Sequence, residues 1–208
     1  AKVLSTELKA VSPSLISRQV LLGNPSRYQG RISPDGNKMS FRAPVEGVMN
    51  LWVAELGDIA NAKPMTQDTG RGIPTHFWSL DSRQIFFTQD KNGDENWHLY
   101  RIDIDSGEIA DLTPYDGVQA AQMKQSEHHP GVVIVGMNDR DPKWHDIYSV
   151  NVATGERTLL EQNDGYGYYE LDNDLTIRLA VKSAADGSNQ VFSRSNNKWN
   201  LWFSIPFS

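Results

Sequence analysis

The polar stretch Asp90–Asn96, DKNGDEN, is the part of the sequence that looks most like a chemical site, and Trp97 and His98 follow it directly. Carboxylates and amides at this density can bind a cation or hold the polar end of a ligand. As a calcium loop the stretch has the wrong spacing. Gly93 stands at position 4 where glycine is needed at position 6, and Arg101 stands at position 12 where glutamate is needed. The spacing therefore predicts a solvated hairpin loop without a metal.

The serines and histidines do not form a recognisable catalytic pattern. The sequence contains no Gly-x-Ser-x-Gly segment, and Ser183, Ser188 and Ser193 fall in strand or turn contexts without a strand-to-helix elbow. The five histidines include no His-Glu-x-x-His spacing, and the lack of cysteine removes disulfides, thiolate catalysis and thiolate metal ligands. We therefore expect no catalytic residue, no metal site and no cofactor in this chain.

The composition of the chain argues against two classes of binding partner. Twenty basic and 26 acidic residues give the chain a formal net charge of −6. An acidic protein without a run of Lys or Arg is a poor match for nucleic acid or for an anionic membrane. The N-terminal segment contains no uninterrupted apolar region, and no apolar run reaches the roughly 18 residues of a membrane span. The sequence predicts a cytoplasmic protein, unless processing has removed an earlier N-terminus.

An internal repeat in the sequence predicts the strands and turns that position these residues. Trp52, Tyr100 and Tyr148 follow one another at intervals of 48 residues, and Phe192 follows after 44. Apolar and polar residues alternate around each of them, which is typical of a half-buried β-strand, and we expect these aromatic side chains in the core. Turn sequences such as Ser33–Gly36 separate the strands.

Each repeat unit contains about four strands in about 46 residues, which is the period of a propeller blade. The predicted fold is all-β, a partial β-propeller of about four blades, each with four antiparallel strands. The predicted blades are residues 31–70, 74–116, 120–164 and 168–208. An irregular segment, residues 1–30, precedes them. It allows a turn or two of helix over residues 3–10, and Val20–Leu22 is its one clear apolar anchor.

Several stretches of these units resemble one known family. They are residues 15–25 (LISRQVLLGNP), 31–53 (RISPDGNKMSFRAPVEGVMNLWV), 66–74 (TQDTGRGIP), 89–108 (QDKNGDENWHLYRIDIDSGE), 111–120 (DLTPYDGVQA) and 138–156 (NDRDPKWHDIYSVNVATGE). They resemble the N-terminal β-propeller of prolyl-oligopeptidase-type (S9) serine peptidases, in the acylaminoacyl-peptidase and dipeptidyl-aminopeptidase branch. The pair GDENWHLY and NDRDPKWHDIY is the most specific part, whereas SPDG also occurs in TolB-like propellers. The last unit matches only loosely.

The resemblance implies a propeller that caps an α/β-hydrolase domain and restricts access to small peptides, with the Ser, Asp and His triad on the hydrolase domain. Because this chain has no nucleophile elbow, it is expected to be the non-catalytic part of a serine exopeptidase or oligopeptidase. Its role is then to gate access and to contact the ends of a peptide substrate. The alternative is a stand-alone TolB-like propeller that serves protein–protein interaction.

One face of the propeller carries the candidate binding residues. In a four-stranded meander, the loops between the second and third strands share a face with the segments between blades. That face is predicted to collect residues 45–47, 69–72, 94–96 and 139–141. On it, Glu95 beside Asn96 can bind a peptide α-amine, and Arg71 or Arg140 can bind a carboxylate. The alternative is that these side chains pair with neighbouring blades.

Four blades leave two apolar flanks without a neighbour. The chain can close as a four-bladed ring with residues 1–30 completing the last blade, continue in further blades beyond Ser208, or dimerise as a half-ring. Residues 199–208, WNLWFSIPFS, are largely apolar, which favours a fragment of a longer propeller. We expect this chain on its own to self-associate through its open flanks.

Overall fold

The computed structural model describes residues 15–23 and 25–207, and its strands form four antiparallel sheets of four strands each. In every sheet the strands are hydrogen-bonded in chain order, which is the up-and-down meander of a propeller blade. The predicted all-β, four-bladed architecture is therefore confirmed. Within the described residues, no helix is long and apolar enough to cross a bilayer.

The four sheets are called blades 1 to 4. Blade 1 consists of β1 (Tyr28–Ile32), β2 (Lys38–Val45), β3 (Val48–Glu55) and β4 (Lys63–Pro64). Blade 2 consists of β5 (Thr75–Trp78), β6 (Gln84–Gln89), β7 (His98–Asp103) and β8 (Ile109–Asp111). Blade 3 consists of β9 (Ala120–Lys124), β10 (Val132–Asp141), β11 (Trp144–Asn151) and β12 (Arg157–Glu161). Blade 4 consists of β13 (Tyr168–Leu171), β14 (Ile177–Ser183), β15 (Asn189–Ser195) and β16 (Lys198–Ile205). A short helix, α1 (Arg18–Leu22), precedes blade 1, and a 3₁₀ turn, Ile59–Asn61, connects β3 to β4.

Serine and aspartate side chains build the turns between the first and second strands of blades 1 and 2. Ser33 Oγ donates a hydrogen bond to Asp35 Oδ1 (2.6 Å) and accepts one from the main-chain N–H of Lys38 (2.9 Å). Ser79 and Asp81 repeat the side-chain contact in blade 2 (2.6 Å). Because these side chains satisfy main-chain groups of the turn, the Ser-x-Asp spacing determines where each hairpin reverses.

The hydrophobic core lies in the joints between neighbouring blades. In the joint between blades 1 and 2, Leu51 of β3 packs with residues of blade 2 that include Trp78 and Phe87. The joint between blades 2 and 3 contains Phe86, Leu99, Val133, Val135, Met137, Tyr148, Val150 and Val152, and that between blades 3 and 4 contains Ile134, Ile147, Tyr169, Leu171, Leu175, Ile177 and Ala180. Adjacent residues such as Ile147 and Tyr148 are therefore both buried, in different joints. A blade with two neighbours is covered on both faces, so simple alternation underestimates its burial.

Hydrogen bonds between blades repeat at one sequence interval. The main-chain N–H of Asp35 donates to Ser82 Oγ (3.0 Å), and Gln125 Nε2 donates to the carbonyl of Trp78 (2.9 Å). The partners of each bond are 47 residues apart. Neighbouring blades therefore contact one another through equivalent positions, as the repeat in the sequence predicts.

The outer flanks of blades 1 and 4 have no neighbour among the described residues, since each hydrophobic joint links blades that are consecutive in the chain. Phe41, Ala43 and Ala54 form an apolar cluster within blade 1. On blade 4 the edge strand β16 exposes Trp202 (63%) and Phe203 (43%) to solvent. The apolar flank expected from the repeat is thus exposed on blade 4, whereas the apolar cluster of blade 1 is buried.

Two local expectations were wrong. Asp139 and Arg140, expected in a loop, lie in β10, because β10 and β11 extend as far as a pair between Asp141 and Trp144. Val20–Leu22, expected as an apolar anchor, is exposed in and around α1. Of the aromatic residues expected in the core, Tyr148 is buried. Trp52, Tyr100 and Phe192 are partly buried and pack against the core clusters. The helix expected over residues 3–10 lies outside the described residues.

Candidate functional site

A cavity of about 760 Å³ opens where the loop between β6 and β7 meets the segment between β4 and β5, and we call it the loop-face cavity. Residues at and after the end of β8 form its third side. Its lining consists of Asp68, Thr69, Gly70, Arg71, Gly72, Gln89, Asp90, Lys91, Asn92, Asp94, Asn96, His98, Tyr100, Asp111, Pro114, Asp116 and Gly117. The structure therefore brings two of the four candidate binding residues, Arg71 and Asn96, into one cavity.

Asp68 organises the segment between β4 and β5. Its Oδ2 accepts hydrogen bonds from the main-chain N–H groups of Gly70 (3.1 Å) and Gly72 (2.6 Å). Its Oδ1 accepts one from Nε2 of Gln89 in β6 (2.7 Å), and its own N–H donates to Oδ1 of Asn50 in β3 (2.7 Å). Asp68 thus ties blade 1 to blade 2 and fixes the main chain on this side of the cavity.

Gly72 allows the same segment to lie against blade 1. Its φ is +81°, and a Cβ built there would lie 2.5 Å from the carbonyl oxygen of Met49. The N–H of Ile73 donates to that same oxygen (2.8 Å). A side chain at this position would therefore push the segment away from β3 and alter the wall of the cavity.

Arg71 crosses the cavity from the segment before β5 to the loop before β7. Its Nη1 donates to Asp90 Oδ2 (2.8 Å), and its guanidinium carbon lies 5.5 Å from the centroid of the Trp97 ring. The Asp90 side chain is 2% exposed, whereas that of Arg71 is 49% exposed. Pairing with Arg71 compensates the buried charge of Asp90, so a ligand carboxylate at Arg71 has to compete with this contact.

The loop between β6 and β7 holds its shape through its own carboxylates. Asp94 Oδ1 accepts hydrogen bonds from the N–H groups of Lys91 (3.2 Å) and Asn96 (3.1 Å), and the N–H of Glu95 donates to Asp90 Oδ2 (3.2 Å). Glu95 adopts φ +60°, in the left-handed region. Its exposed carboxylate lies beside the cavity rather than in its lining, and it makes no hydrogen bond with a described residue. Glu95 is therefore an unpaired anion at the rim.

On blade 2, hydrogen-bonded side chains of β7 and β8 form one wall of the loop-face cavity. His98 Nδ1 and Asp111 Oδ2 lie 2.7 Å apart, and Asp111 Oδ1 accepts a hydrogen bond from the N–H of Thr113 (2.8 Å). Burial, assisted by the Asp111 carboxylate, raises the pKa of Tyr100 to about 12. At neutral pH the Tyr100 hydroxyl therefore keeps its proton, which is directed at the Asp111 carboxylate.

Arg140, the fourth candidate, does not line the loop-face cavity. Its Nε and Nη2 donate to Oδ2 (2.8 Å) and Oδ1 (2.9 Å) of the buried Asp146, and Nη2 also donates to the carbonyl of Asn163 (2.7 Å). This fork binds blade 3 to the segment that leads into blade 4. The geometry matches the alternative in which such a side chain pairs with its structural neighbours.

Sequence reasoning missed several polar residues of the cavity, above all Asp68 and Asp111. Both lie close to the short fourth strands, where they look like ordinary turn residues. The available signal was the recurrence of a threonine at that point. Thr66 Oγ1 accepts the N–H of Leu51, and Thr113 Oγ1 accepts the N–H of Leu99, each at 2.9 Å.

The balance of charge indicates which ligand group the cavity suits. Its lining carries more carboxylates than cations: Asp68, Asp90, Asp94, Asp111 and Asp116 against Arg71 and Lys91. A concave surface with this excess of negative charge attracts an ammonium group more strongly than a carboxylate. In residues 15–23 and 25–207, no three His, Asp or Glu side chains are placed to hold a metal ion together.

Comparison with known proteins identifies relatives of this chain. No protein-family model matches the chain. The chain is similar to dipeptidyl aminopeptidase BIII of Pseudoxanthomonas mexicana, with 45% identity over 195 residues that cover 93% of this chain and 28% of the relative. It is also similar to dipeptidyl peptidase family member 6 of Caenorhabditis elegans, with 30% identity over 191 residues that cover 88% of this chain and 26% of the relative. The chain thus spans less than a third of the length of these relatives.

Solved propeller structures share the fold at low identity. The β-propeller domain of the Trilobed protease from Pyrococcus furiosus superposes with a TM-score of 0.57 at 19% identity, over 85% of this chain and 56% of that chain. A prolyl endopeptidase gives a TM-score of 0.62 at 12% identity, over 87% and 28%. TolB from Acinetobacter baumannii gives 0.53 at 20% identity, over 88% and 43%. At such identities the likeness concerns the fold alone.

Proposed function

This chain belongs to the N-terminal β-propellers of S9 peptidases, and we propose that it serves as the non-catalytic part of such a serine peptidase. In this proposal an α/β-hydrolase domain of the parent protein carries out peptide hydrolysis. The propeller limits access to that domain and contacts the ends of the peptide substrate. The curated relatives are named as a dipeptidyl aminopeptidase and a dipeptidyl peptidase, and this chain matches only 28% and 26% of their lengths.

The single observation that carries the role in substrate contact is the loop-face cavity. It is concave, lined mainly by polar groups and net negative, and the unpaired Glu95 carboxylate stands at its rim. A peptide α-amine is a cation with three hydrogen-bond donors, so carboxylates and the side-chain amide of Asn96 can hold it by charge-assisted hydrogen bonds. Arg71, one of the two cations in the lining, can bind a ligand carboxylate.

Titration of short peptides into the full chain tests this role. The Trp97 ring packs on Arg71 beside the cavity, so tryptophan fluorescence can report binding there. We expect Gly-Phe-amide, which has a free α-amine, to bind at least about tenfold more tightly than its N-acetylated form, because acetylation removes the charge. Glu95→Gln should reduce that preference, whereas Glu108→Gln, an exposed change in the turn between β7 and β8, should not.

Equal affinity for the free and the acetylated peptide would contradict the role in amine recognition. The catalytic half of the proposal has its own test in the intact protein. Labelling with a fluorophosphonate should modify one serine outside the 208 residues of this chain and block cleavage of aminoacyl substrates. Labelling of a serine within this chain would show that the propeller is itself catalytic.

A stand-alone TolB-like propeller that serves protein–protein interaction is the second candidate function. The observation that favours it is the superposition with TolB, which covers 88% of this chain. The coding sequence of the parent protein discriminates between the two. A Gly-x-Ser-x-Gly segment followed by Asp and His supports the peptidase, and a protein without any such segment supports the interaction module.

Self-association of the open flanks also forms part of the proposal for the isolated chain. Blade 1 exposes Ile32 of β1, and blade 4 exposes Trp202 and Phe203 of β16. Each joint within the chain pairs the second flank of one blade with the first flank of the next. The two free flanks are therefore of complementary kind, and two copies can pair in the manner of an internal joint.

A further inference from the structure

A second cavity, of about 250 Å³, lies in the joint between blades 2 and 3 at the opposite end of the strands. The loop-face cavity is lined by Gln89 at the end of β6, whereas this one is lined by Gln84 at its beginning. We call it the turn-face pocket, because the β5–β6 and β9–β10 turns frame it. Its apolar lining includes the buried residues Phe86 and Val152.

The pocket exists because one repeat position carries an unusual residue. The residue just before the first turn of a blade is Trp78 in blade 2 and Leu171 in blade 4, and both are buried in the joint with the preceding blade. In blade 3 the equivalent residue is Gln125. Trp78 donates through Nε1 to the carbonyl of Arg31 (3.4 Å), and Gln125 donates through Nε2 to the carbonyl of Trp78 (2.9 Å). Glutamine keeps the hydrogen bond between blades but supplies none of the apolar volume that closes the other joints.

The size of the pocket limits its occupant. Sites for drug-sized molecules have volumes of about 300–1,000 Å³. A volume of about 250 Å³ with an apolar floor therefore suits one large apolar side chain, such as the tryptophan or leucine found at the equivalent position of blades 2 and 4. The walls also include the exposed Leu80 and Pro130, so the apolar surface continues outward from the floor.

The charge at the rim of the turn-face pocket indicates which type of residue can lie next to the apolar side chain of the occupant. The rim carries Asp81 and Glu127, and no Lys or Arg lines the pocket. Asp81 uses Oδ1 to accept hydrogen bonds from Ser79 Oγ (2.6 Å) and from the N–H of Arg83 (3.1 Å). Its Oδ2 and the exposed carboxylate of Glu127 accept no hydrogen bond from a described residue. These anionic oxygens remain free for a cation of the occupant.

We propose that the turn-face pocket is a docking site for a partner protein that presents a large apolar side chain, aromatic or leucine, next to Lys or Arg. The apolar side chain occupies the volume that Gln125 leaves open and contacts Phe86. The neighbouring cation pairs with Glu127 and with Asp81 Oδ2. The site is independent of the loop-face cavity, since the two lie at opposite ends of the blades.

Binding of a capped dipeptide to the full chain tests the proposal. The probe is N-acetyl-Trp-Lys-amide. Its capped N-terminus removes the α-amine, and the position of the spectral changes distinguishes this pocket from the loop-face cavity, whose carboxylates can also attract the lysine ammonium. In methyl-detected NMR spectra we expect saturable shifts of Val132 and Val152, with Kd near or below about 1 mM. N-acetyl-Trp-Ala-amide should bind several times more weakly, because it lacks the cation. Shifts confined to other parts of the molecule would overturn the assignment.

Two variants separate the apolar and the charged contributions. Gln125→Trp gives blade 3 the tryptophan that blade 2 has at the equivalent position. It should weaken binding of the probe at least tenfold, while the melting temperature of the protein stays equal or rises. Gln162→Trp, at an exposed position before blade 4, is the matched control and should bind like the wild type. Unchanged affinity in folded Gln125→Trp would overturn the proposal.

Glu127→Lys provides the second test and does not depend on repacking, because Glu127 is exposed in a turn. It should weaken the Lys probe at least threefold and leave the Ala probe unchanged. An equal loss of affinity for both probes, or no loss of affinity for either, would overturn the assignment of Glu127 as the partner of the cation.

Discussion

Nε2 of His76 lies 2.9 Å from Oγ of Ser40 across the joint between blades 1 and 2, and both residues are fully buried. His76 Nδ1 has no hydrogen-bond partner. Burial, together with the charges of Arg31 and Arg42, lowers the pKa of His76 from 6.5 to about 4. The imidazole is therefore neutral in the folded chain, and protonating it requires a charge inside the joint.

This pair makes stability depend on pH. The unfolded chain binds a proton at His76 below about pH 6.5, whereas the folded chain binds it only near pH 4. The contribution of His76 is therefore complete above pH 6.5 and is lost as pH falls toward 4, by up to about 3 kcal/mol. Urea unfolding at a series of pH values should show a shallower acid slope for His76→Gln than for the wild type. An unchanged acid slope in folded His76→Gln would contradict this assignment.

Asp146 should be important for stability, because it receives the Arg140 fork and the N–H of Asn163 (2.7 Å) while only 1% exposed. Asp146→Ala leaves a buried N–H without an acceptor and should cost about 2–4 kcal/mol of unfolding free energy. Asp164→Asn changes an exposed carboxylate 3.7 Å from the same guanidinium and should cost little. Similar losses in the two variants, measured by chemical denaturation, would argue against a special role for the buried pair.

Gly72 should tolerate no side chain. Gly72→Ala combines a left-handed backbone with a contact to the Met49 carbonyl, and it should cost about 2 kcal/mol or more. Gly107 is the matched control, because its φ is +74° but nothing lies within 4 Å of a Cβ built there. Gly107→Ala should therefore cost only about 1 kcal/mol. Thermal unfolding of both variants measures the difference that the close contact makes.

Arg71 should influence the charge preference of the loop-face cavity. Arg71→Ala removes a cation and also frees the Asp90 carboxylate that it neutralises. We expect such a variant to bind a peptide α-amine about threefold more tightly and a free peptide carboxylate about threefold more weakly. Calorimetric titration with Gly-Phe-amide and with N-acetyl-Phe measures the two effects separately. Arg140→Ala, which does not alter the cavity lining, should change neither affinity.

The open flank of blade 4 should control self-association. Phe203→Lys places a charge on the exposed edge strand and should raise the dissociation constant of the assembly at least about tenfold. Leu159→Lys changes a residue of β12 that is equally accessible, at 50% exposure, and should have little effect. Light scattering after size-exclusion chromatography gives the mass of each variant. A wild-type chain that elutes as a monomer at micromolar concentration would contradict the expectation of self-association.

The sequence by itself determined the repeat, the strands and the direction of the chain through each blade. These features follow from local chemistry, because apolar alternation selects strands and Ser-x-Asp turns place the hairpins. It also predicted that the loop after β6 and the segment before β5 share a face. In an up-and-down blade, the loop between the second and third strands lies at the same end as the segment between blades. This follows from the order of the strands alone.

Only the tertiary structure decided which polar residues work together. Arg71 and Arg140 looked equivalent in sequence, but the first lines a cavity and the second is held by Asp146 in another joint. The same holds for Gln125, an unremarkable residue until the joint shows the volume that it fails to fill. Pairing and packing between blades depend on contacts about 47 residues apart, and periodicity along one strand carries no information about them. The sequence therefore specifies the blades, while the joints between them specify the sites.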